Sequence, residues 1–423
     1  MSGKASLTGE FIRNLLSTRS VDELEAQLTP SLENPPPRFP SGGGTTEAAL
    51  DRRWNYPVLK ESGAREPLRS REDPALYARN IENLIGAISL PVGVAGPLRV
   101  NGLFAKGDYL VPLATAEAAL VASYHRGARL LTAAGGCRTM VLYEAVSRAP
   151  AFAFPGLPEL GRFLLWATGE VETFRKIAES TTNHGRLLDM GVAVEGNHAY
   201  LVFEFSTGDA AGQNMVTIAT QAICDHILAH TPIVPTAHYV EGNFSGDKKA
   251  SAQSFAGVRG KKVTAEVTLD AALIAKYLHT TAESMADYWR MSAMGGILSG
   301  TIGIQGHYAN GLAALYLATG QDVACVAESA VGITRFETTG VDALYAAVTL
   351  PNIIVGTVGG GTGLPTQRAC LDILGLAGAG KSNALAEVCA SLLLAGELSI
   401  IGAMAAGHFT RAHDKLARKR RAP

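Results

Sequence analysis

The chain has 423 residues, of which 47% are apolar and 18% are charged, and its formal net charge is −1. This composition is typical of a globular protein long enough for two or three domains. The near-zero charge gives no reason to expect nucleic acid or an anionic membrane as a partner. The five cysteines are scattered and form no CxxC pair, which argues against a disulfide framework and against structural zinc. We therefore expect a protein of a reducing compartment without a bound metal.

Two stretches bear on the membrane question. Residues 1–20 carry Lys4, Glu10, Arg13 and Arg19 and lack the continuous apolar core of a signal peptide. Residues 390–406 are the most apolar stretch, but Glu397 interrupts them, so a buried helix is predicted there rather than a membrane span. We expect a soluble, cytoplasmic protein.

The first 79 residues are predicted to form a helical segment with a linker. Residues 9–28 have helical spacing, prolines and glycines follow between 30 and 44, and a second helix is predicted over 45–59. This composition indicates an appendage to the main body of the protein.

Residues 149–240 are predicted to form a small separate domain. The pattern favours, in order, a strand over 151–154, a helix over 157–180, strands over 186–194 and 198–205, a helix over 212–230 and a strand over 233–240. The order β-α-β-β-α-β is the ferredoxin-like arrangement. The fold class is therefore predicted to be α+β, with this domain inserted into a large helix-rich domain made of residues 80–148 and 251–423.

The large domain is predicted to contain a strand over 109–113 and a helix over 114–134. Glu117 would lie in the first turn of that helix, where a carboxylate favours the helix dipole. That placement accounts for Glu117 without any function. Further on, we predict a strand over 263–269, helices over 270–291 and 306–320, and one long helix from Ser382.

Residues 241–250 are predicted to form a loop that connects the two domains. Glycines at 242 and 246 are followed by Asp247, Lys248 and Lys249. Adjacent lysines repel each other, so the pair suits a site that receives a carboxylate, a phosphate or a developing alkoxide. A solvated surface turn is the alternative interpretation.

Residues 375–382 (Gly-Leu-Ala-Gly-Ala-Gly-Lys-Ser) match the P-loop pattern letter for letter. A P-loop should follow a strand and lead into a nucleotide-binding domain. Here the preceding residues 367–374 are predicted to be helical, and the remaining residues form one further helix. A P-loop NTPase is therefore an alternative that the context disfavours.

Two glycine-bearing stretches could lie against a cofactor. The stretch from Asp209 to Met215 precedes a predicted helix whose first N–H groups could hold a phosphate; a helix cap by Asp209 is the alternative. Residues 356–363 are too rich in glycine for a plain turn and suggest close approach of a ligand or a subunit. His408, set among small residues, is either a structural histidine or a proton donor.

Taken in order, these stretches resemble hydroxymethylglutaryl-CoA (HMG-CoA) reductases. The matching pieces are Glu82–Gly86, Pro91–Leu98, Ala114–Glu117 with Val121–Ser123, Asp209–Met215, Gly242–Phe244 with Asp247–Lys249, Gly320–Asp322, Gly356–Thr362, Gly396–Ser399 and Ala405–His408. They cover roughly residues 80–413, and the Asp-Lys-Lys loop looks like the class I branch. Each piece alone is weak, whereas the ordered set is specific.

The resemblance implies a fold, a reaction and an assembly. A large CoA-substrate domain would be split around the small ferredoxin-like cofactor domain, with sites shared between subunits of a homodimer or homotetramer. Two successive hydrides from NADPH would reduce HMG-CoA through a mevaldyl-CoA hemithioacetal and mevaldehyde to mevalonate and CoA. No metal, nucleic acid or membrane is implied.

The resemblance also implies four catalytic residues. Lys248 would stabilise the oxyanion that each hydride delivery creates. Glu117 would protonate or hydrogen-bond that oxygen, and Asp322 would hold the Lys–Glu network in its working charge state. His408 would protonate the departing CoA thiolate.

Further binding positions follow residue by residue from the same resemblance. The predicted substrate-binding residues are Arg148, Asp247, Lys249, Asn310, Ser123, Arg126 and Arg290. The predicted cofactor-binding residues are Thr182, Asn183, Asp209, Gly212, Asn214, Met215, Gly359 and Thr362.

Three departures from the family pattern affect these expectations. Glu241 stands where a serine is usual and adds a negative charge beside a substrate that carries a carboxylate, so unless it is paired or turned away it should weaken substrate binding. Arg290 stands at a lysine position next to an insertion or deletion. Residues 182–184 (Thr-Asn-His) lack the arginine usual at the cofactor ribose, which leaves NADPH preferred and NADH possible. Because of Glu241, a reductase or a non-catalytic binder of a related acyl-CoA is a further alternative.

Overall fold

The computed structural model describes residues 5–257 and 259–407 and divides the chain into two compact units. The first comprises residues up to 69 together with 81–86. Its helices are α1 (Ala5–Thr18), α2 (Val21–Leu28), α3 (Glu47–Trp54) and α4 (Pro57–Glu61). The buried guanidinium of Arg53 donates hydrogen bonds to the carbonyls of Leu84 and Gly42, which ties the two segments of this unit together.

The second unit, residues 70–80 and everything from 87 onward, holds all the strands of the described chain. Its strands are β1 (Val92–Gly102), β2 (Lys106–Ala114), β3 (Cys137–Arg148), β4 (Ala151–Ala153), β5 (Arg186–Glu195), β6 (His198–Ser206), β7 (Ala237–Tyr239), β8 (Gly260–Leu269), β9 (Ile333–Thr339) and β10 (Ala343–Ile353). Its helices are α5 (Leu120–Ala133), α6 (Leu157–Gly169), α7 (Val171–Ser180), α8 (Gln213–His230), α9 (Ala271–Leu278), α10 (Ala282–Ser299), α11 (Tyr308–Thr319), α12 (Val326–Ser329), α13 (Pro365–Leu374) and α14 (Ser382–Ala405).

One long strand, β3, joins two parts of the sheet. Its first residues pair with β1 and β8, and its last three pair with β6. The sheet then runs β7-β4-β6-β3-β8-β10-β9, with β5 on the other side of β6 and β2 beside β1. Arg148, at the end of β3, therefore lies where the two parts of the sheet meet.

Each part of the sheet has its own apolar core. The strands β4 to β7 and the helices between them bury Phe152, Phe163, Phe174 and Phe203. The other part packs around α14, whose residues are buried almost along the whole helix. Among the described residues, α14 alone is long and apolar enough to cross a membrane, and 83% of its most apolar window is buried inside the protein, as predicted for a core helix.

Several predicted helices differ from those observed. The helices predicted over 45–59 and 270–291 are each two helices, α3 with α4 and α9 with α10. The helix predicted over 157–180 is two helices, because Glu170 interrupts it between α6 and α7. The helix predicted over 114–134 begins only at Leu120, since Ala119 has a left-handed backbone with φ of 71° and residues up to Ala114 belong to β2. Glu117 therefore lies in the loop before α5, where its backbone N–H donates to the Thr115 hydroxyl. The helix-dipole explanation of Glu117 was wrong.

Candidate active site

The loop after β7 brings Lys248 against Asp322. The Nζ atom of Lys248 lies 2.8 Å from Oδ2 of Asp322, and both side chains are partly exposed. The other carboxylate oxygen of Asp322 accepts the backbone N–H of Ala324 and so caps the short helical turn that follows α11. The hydrogen bond that Lys248 donates to Asp322 raises the pKa of Lys248 above its ordinary value, which keeps the ammonium charged at neutral pH.

Asp247, the preceding residue, is fixed by two arginines. One of its oxygens accepts Nη1 of Arg148 at 3.0 Å, and the other pairs with the guanidinium of Arg259. Burial alone would raise the pKa of Asp247, but Arg259 and then Arg148 hold it below its ordinary value. The carboxylate is therefore ionised and locked in place, so the sequence-predicted Asp247, Lys248 and Arg148 lie in one cluster.

Glu241 is paired, and its partner is Arg148. Its Oε2 lies 3.3 Å from Nη1 of Arg148 and accepts the Ser245 hydroxyl at 2.9 Å. The Arg148 side chain is only 7% exposed. Among the described residues, Arg148 Nε and Glu241 Oε1 are buried polar atoms without a hydrogen-bond partner. One donor of the arginine thus remains free, and buried donors of this kind are usually satisfied.

Arg259 and Glu328 lie beneath this cluster and were missed by the sequence analysis. Nε of Arg259 lies 2.6 Å from Oε2 of Glu328, and both side chains are almost fully buried. Arg259 also donates to the Ser147 carbonyl and to Oε1 of Gln213. Burial raises the pKa of Glu328, while Arg259 opposes that rise. Only the long-range fold reveals this pair, although Glu328 follows the Gly-Gln-Asp motif by six residues.

A cavity of about 360 Å³ contains a second group of predicted residues. Glu117, Ser123, Arg126 and Asn310 all line it, together with aromatic and apolar side chains. Arg126 and Ser123 both hydrogen-bond to Ser399 of α14. Burial lowers the pKa of Arg126. Residues predicted to contact HMG-CoA and CoA thus share one cavity with the predicted proton donor.

A larger cavity, of about 600 Å³, lies at the start of α8. Its lining includes the predicted cofactor-binding residues Gly212, Asn214, Met215, Gly359 and Thr362, and also the catalytic candidate Asp322. No side chain caps the first turn of α8, so its N–H groups face this region without a side-chain acceptor. Such a helix start with a glycine-rich wall suits the phosphates of a dinucleotide.

The remaining predicted residues lie around these cavities or away from them. Thr182 contacts Met215, with its Oγ1 3.2 Å from the thioether sulfur, and Asn183 is in the same turn after α7. Lys249 is exposed and donates to the Asp247 carbonyl. Arg290 ion-pairs with Glu283 and Asp287 of its own helix, α10. His408 lies outside the described residues.

The carboxylate of Asp209 binds residues 375–382, the stretch that matches the P-loop pattern. Its carboxylate accepts the backbone N–H groups of Gly380, Lys381 and Ser382 at 2.7, 3.1 and 3.1 Å. Those amides are the donors that a P-loop offers to a nucleotide phosphate. Since a carboxylate of the same chain already uses them, and since helix α13 rather than a strand precedes the string, this segment is a capped helix start and not a nucleotide site.

The chain matches known proteins both in sequence and in fold. Residues 57–418 match the family model described as hydroxymethylglutaryl-coenzyme A reductase. The 3-hydroxy-3-methylglutaryl-coenzyme A reductase of Aeropyrum pernix is 43% identical over 383 residues, which are 89% of this chain and 91% of that protein. The enzyme of the same name from Methanocaldococcus jannaschii is 43% identical over 82% of this chain and 87% of its own length.

Solved structures share the fold at lower identity. A 3-hydroxy-3-methylglutaryl-coenzyme A reductase of Streptococcus pneumoniae superposes with a TM-score of 0.64, at 20% identity, over 92% of this chain and 98% of that one. A class II enzyme from the same organism, described as bound to NADPH, gives the same TM-score over 78% of this chain and 79% of that one. The family model and the relatives at 43% identity establish that the chain belongs to the hydroxymethylglutaryl-coenzyme A reductase family.

Proposed function

We propose that this chain reduces HMG-CoA to mevalonate and free CoA, with two successive hydrides from NADPH. The observation that carries the proposal is the Lys248–Asp322 pair at 2.8 Å, because Asp322 also lines the cavity of about 600 Å³. A fixed ammonium beside a cavity of this size can stabilise negative charge as it develops on a carbonyl oxygen. The matched relatives, which bear the name of this enzyme, support the same conclusion.

NADPH would lie in the larger cavity. Gly212 and Asn214 at the start of α8, with Gly359 and Thr362 opposite, would hold its phosphates and the adjoining ribose. When bound, this cofactor supplies the hydride that adds to the carbonyl carbon. NADH stays an alternative, since residues 182–184 contribute no arginine.

Side chains of the protein would then stabilise the developing negative charge and donate protons. Lys248 would bind the oxygen of the carbonyl under reduction, and Glu117 would protonate it. Asp322 keeps Lys248 charged and oriented. Arg148 and Asp247, which bind each other at 3.0 Å, would contact the glutaryl portion of the substrate. His408 would protonate the CoA thiolate.

The finer architecture is part of the same proposal. We assign residues 149–240 to a ferredoxin-like cofactor domain, because its four strands lie in the order β7-β4-β6-β5 with antiparallel neighbours, which is the 4-1-3-2 order of that fold. Residues 80–148 and 251–423 would form the class I-like substrate domain, residues 241–250 the connecting loop, and residues 1–79 the N-terminal segment. We place the enzyme in the cytoplasm.

We also propose a homodimer or homotetramer. Glu117 lines the smaller cavity, whereas Asp322 lines the larger one, so two copies that share a site would bring the two groups together. The exposed face of α10 supports an apolar interface, because Met291, Met294 and Leu298 follow one another at helical spacing and are 70%, 56% and 88% exposed. Light scattering of the purified protein tests the assembly, and a monomer at micromolar concentration would contradict it.

A second candidate substrate is an acyl-CoA without a free carboxylate. It is favoured by the contact between Glu241 and Arg148, because Glu241 already supplies this arginine with a carboxylate. The test compares nicotinamide oxidation with HMG-CoA and with acetoacetyl-CoA, each with NADPH and then NADH. Oxidation with HMG-CoA and NADPH supports the first proposal, whereas oxidation with acetoacetyl-CoA alone would replace it with the second.

A further inference from the structure

Lys248 is held at two points by one short segment of the chain. Asp322 binds its ammonium, and Glu328, six residues further on, accepts its backbone N–H at 3.3 Å. Lys248 has a left-handed backbone with φ of 57°. Such a conformation is unfavourable for a residue with a Cβ and persists only where surrounding contacts enforce it.

Glu328 is itself held in place by Arg259. Its Oε2 pairs with Nε of Arg259 at 2.6 Å, so that its Oε1 is left for the Lys248 N–H. The Glu328 side chain is fully buried, and that of Arg259 is 3% exposed. Arg259 is anchored in turn by the Ser147 carbonyl at 2.7 Å and by Gln213 at 2.6 Å.

A buried ion pair is weak evidence for stability, because removing both charges from water costs about as much as their attraction returns. The contact with the Lys248 backbone gives the pair a different role. We propose that Glu328 is a positioning residue for Lys248: its carboxylate, oriented by Arg259, sets the backbone conformation from which the Lys248 ammonium reaches Asp322. This inference rests on the proposed catalytic role of Lys248.

The substitution Glu328→Gln separates the two contacts. Glutamine has one acceptor oxygen, whereas Glu328 accepts from two donors, Arg259 Nε and Lys248 N–H. One of those donors must therefore face an amide NH₂ group. We expect kcat for HMG-CoA to fall about 100-fold, since a misplacement of about 1 Å costs that much, while KM changes less than about threefold.

A matched control is Glu387→Gln in α14. Glu387 is likewise fully buried and accepts backbone N–H groups, those of Phe104 and Ala105 at 2.9 and 2.7 Å, in the turn between β1 and β2. It should lower the melting temperature and leave kcat within about twofold of the parent. An equal loss of kcat in both glutamine variants would mean that Glu328 acts through general stability, and would overturn the inference.

The decisive experiment is a double-mutant cycle with Lys248→Ala. If Glu328 acts through Lys248, Glu328→Gln lowers the residual rate of the Lys248→Ala enzyme by less than about twofold. A further loss of about 100-fold in kcat in the Lys248→Ala background, or an unchanged kcat in the Glu328→Gln single variant, would refute this inference but not the proposed role of Lys248. Full turnover in Lys248→Ala itself would refute the proposed role of Lys248, and the inference with it. If Glu328→Gln does not fold, Glu328→Asp, which keeps the charge but shortens the reach, carries the same cycle.

Discussion

Two lysine-bearing glycine loops of this protein look alike in sequence and differ in what their donors bind. In the loop 241–249, charged side chains converge, and Lys248 presents a partly exposed ammonium to Asp322. In the string 375–382, the three amides that could receive a phosphate already bind Asp209. Residues 375–382 match the P-loop pattern at every position, but the loop 241–249 has the features of an active site.

The difference shows that a distant residue decides whether a donor-rich loop is a site. Asp209 precedes Gly380, the first residue whose amide it binds, by 171 residues. Arg259 and Glu328, which organise the first loop, are separated from each other by 69 residues. A local sequence motif does not predict such long-range contacts.

Lys248→Ala should lower kcat for HMG-CoA by about 100- to 1,000-fold, because a donor to the developing oxyanion is lost. Steady-state oxidation of NADPH measures this effect. Lys381→Ala is the control in the other loop and should leave kcat within about twofold. A comparable loss in both variants would erase the distinction between the two loops.

Asp322→Asn should lower kcat about 10- to 100-fold, since Lys248 would lose the partner that orients it. It should also move the alkaline limb of the kcat profile to lower pH. The hydrogen bond that Lys248 donates to Asp322 raises the pKa of Lys248, so its removal lets the ammonium lose its proton at lower pH. An alkaline limb that stays in place would show that Lys248 does not set it.

Glu241→Ser should lower KM for HMG-CoA about tenfold with little change in kcat. The carboxylate of Glu241 lies 3.3 Å from Arg148 and would compete there with the carboxylate of the substrate. Initial rates over a range of HMG-CoA concentrations measure the effect. A higher KM would instead mean that Glu241 contributes to substrate binding.

Asp209→Ala should destabilise the protein by about 1 kcal/mol, which is typical for the loss of a helix cap. Three amides at the start of α14 would lose their acceptor. Urea unfolding followed by circular dichroism measures the change, with Asp225→Ala on α8 as an exposed control. Unchanged stability would contradict the capping role.

Much of the element order was predictable because periodicity is strong where one face is buried. The strands near 186–194 and 198–205, the helix over 212–230 and the long helix from Ser382 all correspond to observed elements. The strands β3, β9 and β10 were missed, because β10 is an almost continuous apolar run and because β3 and β9 mix polar and apolar residues without strict alternation. Glu117 was wrongly predicted to lie in a helix, because the sequence does not indicate that Ala119 adopts a left-handed backbone conformation.

The site was predictable only through the ordered resemblance, and only in part. Lys248, Asp322, Asp247 and Arg148 were predicted, and they form two ion pairs, Arg148–Asp247 and Lys248–Asp322, at neighbouring residues of one loop. The partner of Glu241 and the Arg259–Glu328 pair could not be anticipated, because each depends on side chains brought together by the sheet. A residue can be matched by its motif, whereas its hydrogen-bond partners come from the fold.

The most direct test of HMG-CoA reduction by this protein is the number of nicotinamides oxidised for each CoA released, with purified protein, HMG-CoA and NADPH. Absorbance of NADPH and a thiol reagent for CoA give the two quantities in one reaction. We predict two oxidised nicotinamides for each CoA, together with mevalonate as product. CoA release without NADPH oxidation, or no reaction from a folded protein, would contradict it.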